Sequence, residues 1–256
     1  NLVAAGGTPT AGSVKIDGSN LGSALAGSIA ATRLSANTTA GFSIIKYTGD
    51  DSSDATIAHG LGVTPELVIV KSLDSSEDWY VGSSQGISFA SSDYLTLNNN
   101  SGYSSSSTIW PGGSDVPTSS VFVVGTNDAV NNTDDFIAYC FASIEGYSKV
   151  GSYEGNNNAD GTFVYTGFRP AWVLIKEVDG TNDWFMTDDK RVGYNPVGQN
   201  WLLANTNAAE TTSNDKPYDY LSNGFKFRDN SGYFNDASTY LYIAFAKSPF
   251  KYSNAR

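Results

Sequence analysis

Two stretches of the sequence repeat one pattern and decide the fold: VTPELVIVKSLDSSEDWYV at residues 63–81 and RPAWVLIKEVDGTNDWFM at residues 169–186. In each, a short apolar run follows a proline, and a lysine lies six residues after that proline. A turn rich in Asp, Ser, Gly and Asn comes next, and a tryptophan lies fourteen residues after the proline. Short apolar runs bounded by proline and turn residues are typical of core strands. Each stretch therefore predicts a buried strand, a turn and the start of a second strand.

The repetition extends outward from these stretches. GFSIIKYTGD begins at residue 41 and GYSKVGSYEGN at residue 146, while DFIAYCFA ends the first copy and YLYIAFA the second. Corresponding positions lie 104 or 105 residues apart, which indicates an internal duplication. We predict an all-β protein with two tandem antiparallel, jelly-roll-like β-sandwich units at residues 41–144 and 145–256, whose last strands are buried on both sides. The predicted structural anchors are Pro65, Trp79, Phe141, Pro170, Trp184 and Phe245.

The first 40 residues differ from the rest because they contain no aromatic side chain. A segment of small residues buries little surface, so residues 1–40 are predicted to be an N-terminal arm or linker, or the end of a preceding region. Within it, SALAGSIAATRL (23–34) predicts a short helix. The chain starts at Asn1 and its one methionine is Met186, so we expect it to be processed or to be part of a longer protein.

The charge of the chain argues against several partners. The net charge is −11, which disfavours nucleic acid and anionic membrane surfaces as ligands. Residues 41–144 carry 12 acidic and 2 basic residues, whereas residues 145–256 carry 13 acidic and 11 basic residues. No stretch is apolar enough to insert in a membrane. The two copies therefore share a core pattern but have different surfaces.

The sequence contains few groups suited to catalysis. His59 is the sole histidine and Cys140 the sole cysteine, so a triad or an ordinary zinc site has almost no candidates. Cys140 lies inside an apolar run and is predicted to be buried. We therefore expect a protein that is not an enzyme, although a pair of carboxylates for glycoside hydrolysis remains an alternative.

Ligand-binding candidates come from loops. The oxygen-rich segments TGDDSSD (48–54) and TNDAVNNTDD (126–135) suit calcium, with Asp50, Asp51, Asp134 and Asp135 as its predicted ligands, although neither matches a calcium loop motif. We expect no other cofactor. Aromatic residues in polar or glycine-rich stretches predict an exposed sugar-stacking set: Trp110, Tyr103, Tyr194, Trp201 and Tyr233.

Several segments carry a family resemblance, among them TAGFSIIKYTG (39–49), IAYCFASIEGYSKVGSYEGN (137–156) and YIAFAKSPFKYSNAR (242–256). They resemble the C-terminal β-rich domain of tail fibres and minor structural proteins of tailed bacteriophages, a type common in marine phages. The resemblance implies a virion-surface protein, a homotrimer that contacts other virion proteins and binds a glycan or protein receptor on the host. It also fits a capsid decoration or head-fibre protein, and less well a polysaccharide depolymerase. It carries over no catalytic residues.

Overall fold

The structure, a computed structural model, describes residues 7–191, 200–212, 218–230 and 232–249. The chain forms two units: unit 1 contains residues 1–96 and 104–142, and unit 2 contains residues 97–103 and 143–256. Strands dominate both units, and one short 3₁₀ turn lies at Phe89–Ser91. Within the described ranges no helix is long and apolar enough to cross a membrane.

Unit 1 contains a nine-stranded sheet and a two-stranded sheet. Its strands are β1 (Val14–Ile16), β2 (Ser19–Asn20), β3 (Ala31–Asn37), β4 (Phe42–Thr48), β5 (Ala55–Ala58), β6 (Leu67–Ser72), β7 (Tyr80–Ser83), β8 (Asp93–Thr96), β9 (Ser104–Ser105), β10 (Val121–Val124) and β11 (Asp135–Phe141). The large sheet has the order β2-β1-β3-β4-β11-β6-β7-β8-β9, and β5 pairs with β10. All pairs are antiparallel except β1 with β3, so the large sheet is mixed.

Unit 2 repeats this arrangement without the three N-terminal strands. Its strands are β12 (Ser148–Glu154), β13 (Phe163–Tyr165), β14 (Pro170–Glu177), β15 (Phe185–Asp188), β16 (Asn200–Leu203), β17 (Thr211–Thr212), β18 (Tyr218–Leu221), β19 (Gly224–Phe227) and β20 (Thr239–Ala246). The order β12-β20-β14-β15-β16-β17 corresponds strand for strand to β4-β11-β6-β7-β8-β9, and the pair β13-β19 corresponds to β5-β10. The predicted all-β fold of two sandwich-type units is confirmed.

The N-terminal region is not a separate arm. β3 pairs with β4 from Ala31 to Asn37, and Val14 and Leu34 are buried in the core of unit 1. The short helix predicted over residues 23–34 is also wrong, since residues 31–34 are already in β3. A strand of small residues is stable here because its neighbour β4 supplies the large inward side chains Ile45 and Tyr47.

Three of the six predicted anchors lie in the core and three do not. Pro65, Pro170 and Trp184 are buried, whereas Trp79, Phe141 and Phe245 are only partly buried. Phe141, the last residue of β11, and Phe245, one residue before the end of β20, lie on the side away from the core, because side chains alternate along a strand.

The last strands of the two units differ in burial. β20 is buried on both sides from Tyr240 to Ala244, as predicted. The same prediction is wrong for β11, in which every second side chain from Asp135 to Phe141 is partly exposed. One face of the large sheet in unit 1 is therefore partly open along β11.

A buried tyrosine and a buried asparagine are repeated in the two units. In unit 1 the Tyr47 hydroxyl donates to the Val130 carbonyl at 2.6 Å. The next residue, Asn131, accepts from the Asp50 N–H at 3.0 Å and donates to the Ser52 carbonyl at 2.8 Å. This side chain is fully buried, so it ties the loop after β4 to the segment before β11.

Unit 2 contains the same arrangement of a buried tyrosine and a buried asparagine, with more hydrogen bonds. The Tyr153 hydroxyl donates to the Phe234 carbonyl at 2.8 Å. The adjacent, fully buried Asn235 accepts from the Asn156 N–H at 3.1 Å. Its Nδ2 lies 2.9 Å from the carbonyl oxygens of Asn158 and Asp229. These residues are fold determinants of the repeat that the sequence analysis did not identify.

Unit 2 also contains a buried lysine. Lys176 is fully buried in β14, and its Nζ donates to the carbonyl oxygens of Glu177 at 2.6 Å and of Asn100 and Gly180 at 3.3 Å. Burial lowers the pKa of this lysine to about 8. Segment 97–103 supplies the Asn100 carbonyl and is also held by the Tyr103 N–H, which donates to Val178 O at 2.7 Å. Segment 97–103 is therefore part of the unit 2 structure.

Candidate functional site

The partly open face of the large sheet in unit 1 is the candidate site, and we call it the outer face. It consists of the side chains of β1, β3, β4, β11 and β6 that alternate with the core-facing ones. In one row across the strands, Arg33 is paired with Lys46, Lys46 with Ile137, and Ile137 with Lys71. In the next row, the cross-strand neighbours are Lys15, Ser35, Ile44, Tyr139 and Ile69. The sheet register thus places a row with three basic side chains, the cationic row, beside a row that begins with Lys15 and Ser35 and continues with apolar side chains as far as Tyr139 and Ile69.

Three aromatic rings on the outer face are nearly parallel. The Tyr139 ring lies 6.5 Å from the Phe42 ring and 6.3 Å from the Trp79 ring, with interplanar angles of 14° and 18°. All three side chains are partly exposed. Trp79 reaches this row because it precedes β7, whereas its counterpart Trp184 is buried. We call Phe42, Tyr139 and Trp79 the ring row.

All basic residues of unit 1 lie on the outer face. Residues 1–142 contain four of them, against thirteen acidic residues, and the four are Lys15, Arg33, Lys46 and Lys71. Lys15, Arg33 and Lys46 line a shallow groove of about 460 Å³ whose apolar wall includes Ile44 and Ile137. An otherwise acidic unit therefore concentrates its positive charge at one place.

The four basic side chains have different partners. Lys46 Nζ lies 2.6 Å from Asp135, and its hydrogen bond, with a second one from Thr48, lowers the pKa of Asp135. Lys71 Nζ donates to the Ser75 carbonyl at 2.9 Å. In the part of the chain that the structure describes, neither Lys15 nor Arg33 has an acidic side chain within salt-bridge distance. The charges of Lys15 and Arg33 are thus not compensated by a carboxylate of the described residues.

The aromatic residues predicted from the loops do not form this site. Trp110 and Trp201 are 1% and 8% exposed, so the prediction that they are exposed is wrong. Each packs edge-on against a phenylalanine of its own unit, Phe89 or Phe185, an arrangement that aromatic pairs prefer.

The remaining predicted aromatics have mixed outcomes. Tyr103 and Tyr233 are 48% and 51% exposed, in agreement with the prediction of exposure. The Tyr233 ring packs on Phe185 at 5.6 Å, while Tyr103 belongs to segment 97–103. Tyr194 lies outside the described residues. Whether any of them contacts a sugar stays a prediction.

The predicted calcium ligands have different surroundings in the structure. Asp50 receives the hydrogen bond of Ser52 on its carboxylate, Asp51 is exposed, Asp134 accepts from Ser72 and Asp135 pairs with Lys46. Across the described ranges no three Asp, Glu, His or Cys side chains are grouped as a metal site. The Asn131 amide organises this loop, and calcium binding stays a prediction.

The two candidate catalytic groups are inside the core. His59 is fully buried, with Nδ1 accepting from the Leu61 N–H at 3.2 Å and Nε2 donating to the Thr118 carbonyl at 3.1 Å. Burial lowers the pKa of His59, and both of its ring nitrogens are used in hydrogen bonds to the backbone. Cys140 is also fully buried, and burial raises the pKa of its thiol. Neither group reaches the surface of unit 1.

The fold defines a class: a duplicated all-β protein with one sheet face that carries cations and partly exposed rings. The chain belongs to the family described as domain of unknown function (DUF7483), which matches residues 15–249. This match begins in β1 and ends after β20, so the family domain includes both repeats. No curated protein and no solved structure matches the chain.

Proposed function

We propose that the chain is a non-enzymatic attachment module on a bacteriophage virion, in a tail fibre or other receptor-binding structure, and that it binds the host surface through the outer face. The observation that carries the proposal is the ring row next to the cationic groove. The sequence resemblance to tail-fibre proteins supports the same assignment, and the burial of His59 and Cys140 fits a protein without catalytic groups.

The residue types on the outer face are typical of surfaces that bind a partner. Tyrosine, tryptophan, phenylalanine and arginine are the residues enriched at the centres of binding surfaces. Rings that serve only for stability are usually buried, as the rings of Trp110 and Trp184 are in this protein. Phe42, Tyr139 and Trp79 instead keep part of their surface in solvent, as do Lys15 and Arg33, which have no acidic partner among the described residues.

Competition for host cells tests the proposal. Cells of a susceptible host are incubated with the purified chain and then challenged with phage. We expect the chain to bind the cells and to reduce adsorption, and the Tyr139→Val variant to do both less well. The control Lys190→Gln changes a lysine outside the outer face. If the wild-type chain neither binds cells nor reduces adsorption, the attachment proposal is wrong.

The position of the chain on the virion separates attachment from capsid decoration. Immunogold label at the tail tip supports the proposal, whereas label on the capsid favours a decoration protein that acts through protein packing. We also propose that the assembled form is a homotrimer. Light scattering should then give about three times the 27.2 kDa mass of one chain.

A further inference from the structure

We infer that the outer face of unit 1 binds an acidic polysaccharide, with its carboxylates at Lys15, Arg33 and Lys46 and its sugar rings on the ring row. The inference rests on the proposed attachment function and specifies its ligand. Nothing in the family description assigns a ligand to this face.

The distribution of charge selects an anionic ligand. The four basic residues of unit 1 share one sheet face, although thirteen acidic residues surround them in the same part of the chain. Like charges opposite each other on neighbouring strands are destabilising, and among the described residues only Lys46 of this set has an acidic partner, Asp135. Arg33 and Lys46 are direct cross-strand neighbours, and the carboxylate of Asp135 pairs with Lys46, so these three groups together keep a net positive charge and Arg33 lies beside a second cation. A bound carboxylate relieves this repulsion.

The spacing of the two rows suits a sugar that carries a carboxylate. Lys46 and Ile44 are two residues apart on β4, as are Ile137 and Tyr139 on β11, and this places the cationic row about 7 Å from the ring row. Neighbouring strands add steps of about 4.8 Å across the sheet. One saccharide unit can therefore lie over Tyr139 while its carboxylate reaches the groove.

The rings distinguish a polysaccharide from other polyanions. Nucleic acid carries a charge on every nucleotide, and its binding needs an extended basic surface. Unit 1 offers four basic residues among many acidic ones. An acidic polypeptide supplies carboxylates but no rigid apolar ring faces to match Phe42, Tyr139 and Trp79. Sugar rings present such a face and leave their substituents free for the cations.

A binding assay with three polymers tests the ligand class. The full chain is titrated with polygalacturonate, with neutral dextran and with poly-L-glutamate, at ionic strengths below and above about 0.1 M, where the Debye length is about 10 Å. We expect saturable binding of polygalacturonate that weakens at higher salt. Dextran lacks the carboxylates and poly-L-glutamate lacks the rings, so each should bind at least about tenfold more weakly.

Matched variants connect the binding to the outer face. Lys15→Gln with Arg33→Gln should weaken polygalacturonate binding about tenfold or more, since charge-assisted hydrogen bonds are lost. Tyr139→Val keeps a strand-forming residue and should weaken binding about tenfold by removing the stacking surface. Lys190→Gln has the same charge change as one groove substitution and should bind like wild type. Melting temperatures establish that each variant is folded.

Three results would overturn the inference: no binding of polygalacturonate, equal binding of poly-L-glutamate, or unchanged binding by the folded groove variant. The attachment proposal has a separate readout. If the chain binds host cells through Tyr139 but polygalacturonate does not compete, the polysaccharide inference fails and the attachment function stands. If the chain binds no cells but binds polygalacturonate through the groove, the attachment proposal fails and the ligand class stands.

Discussion

The buried amide of Asn235 is predicted to be a major stabiliser of unit 2. Its side-chain oxygen accepts from the N–H groups of Asn156 and, at 3.5 Å, Thr162. Its Nδ2 donates to the carbonyl oxygens of Asn158 and Asp229 and to Asn156 Oδ1. A hydrogen bond contributes about 1 kcal/mol net, and unsatisfied buried groups cost more. Replacing Asn235 by alanine should therefore lower the free energy of unfolding by about 3–4 kcal/mol. For a unit of this size that corresponds to a fall in melting temperature of about 10–15 °C.

The isosteric variant Asn235→Asp separates hydrogen bonding from packing. Aspartate fills the same space, but an ionised carboxylate cannot donate to the two carbonyl groups. Burial and these acceptors disfavour the charged form, so the pKa of the introduced carboxyl should rise in the folded state. The folded state then binds more protons than the unfolded state above pH about 4. The deficit in stability relative to wild type should therefore increase as the pH rises from about 4 to 7.

Urea unfolding followed by tryptophan fluorescence measures both effects. Asn182→Ala is a control, because that side chain is only partly buried and its amide donates to Gly232 O at 2.6 Å. It should cost less than about 1 kcal/mol. A cost below about 1 kcal/mol for Asn235→Ala, or a deficit of Asn235→Asp that does not change between acid and neutral pH, would refute the reasoning.

Three further predictions concern backbone packing, a buried charge and a buried thiol. Gly155→Ala should unfold unit 2 or destabilise it by more than about 2 kcal/mol, because a Cβ there would fall on the Asp236 carbonyl oxygen; an unchanged urea midpoint would contradict this. The pKa of Lys176 is lowered to about 8 in the folded state, so the unfolded state binds more protons than the folded state between about pH 8 and 10. The free energy of unfolding should therefore rise with pH over that range, and this rise should be absent in the Lys176→Met variant. Cys140 should react with a thiol reagent only at the rate of unfolding, since its buried thiol stays protonated, and fast reaction of the native protein would exclude this.

The sequence predicted the fold of the repeats because their cores are repeated. Pro65 and Pro170, each before a continuous apolar run, mark β6 and β14 directly. Residues 14–37 were assigned wrongly because their strands owe their stability to large side chains on β4. Asn131 and Asn235 were missed because a buried asparagine in an Asn/Asp-rich loop looks the same in sequence as an exposed one.

The candidate site was missed for a related reason. Equal sequence position suggested that Trp79 and Trp184 have the same role, but only Trp184 is buried. Whether the second face of a strand is exposed depends on which other parts of the fold cover it. The alternation of apolar and polar residues along the strand does not show this. A usable signal was present in GFSIIKYT, where Phe42, Ile44 and Lys46 occupy alternate positions. Such a pattern predicts that large apolar and basic side chains lie together on the second face of the strand.

Unit 2 consists of two separate stretches of the chain, and this affects how the units can be isolated and in which order they are completed during synthesis. Segment 97–103 lies between β8 and β9 in sequence, yet its Asn100 carbonyl accepts a hydrogen bond from Lys176. Isolating either unit would therefore need three cuts, after residues 96, 103 and 142, rather than one at the repeat boundary. During synthesis, residues 97–103 leave the ribosome before residue 176, so this segment can pack into unit 2 only after β14 has been made. A single break after residue 142 would leave segment 97–103, which belongs to unit 2, on the fragment that carries unit 1.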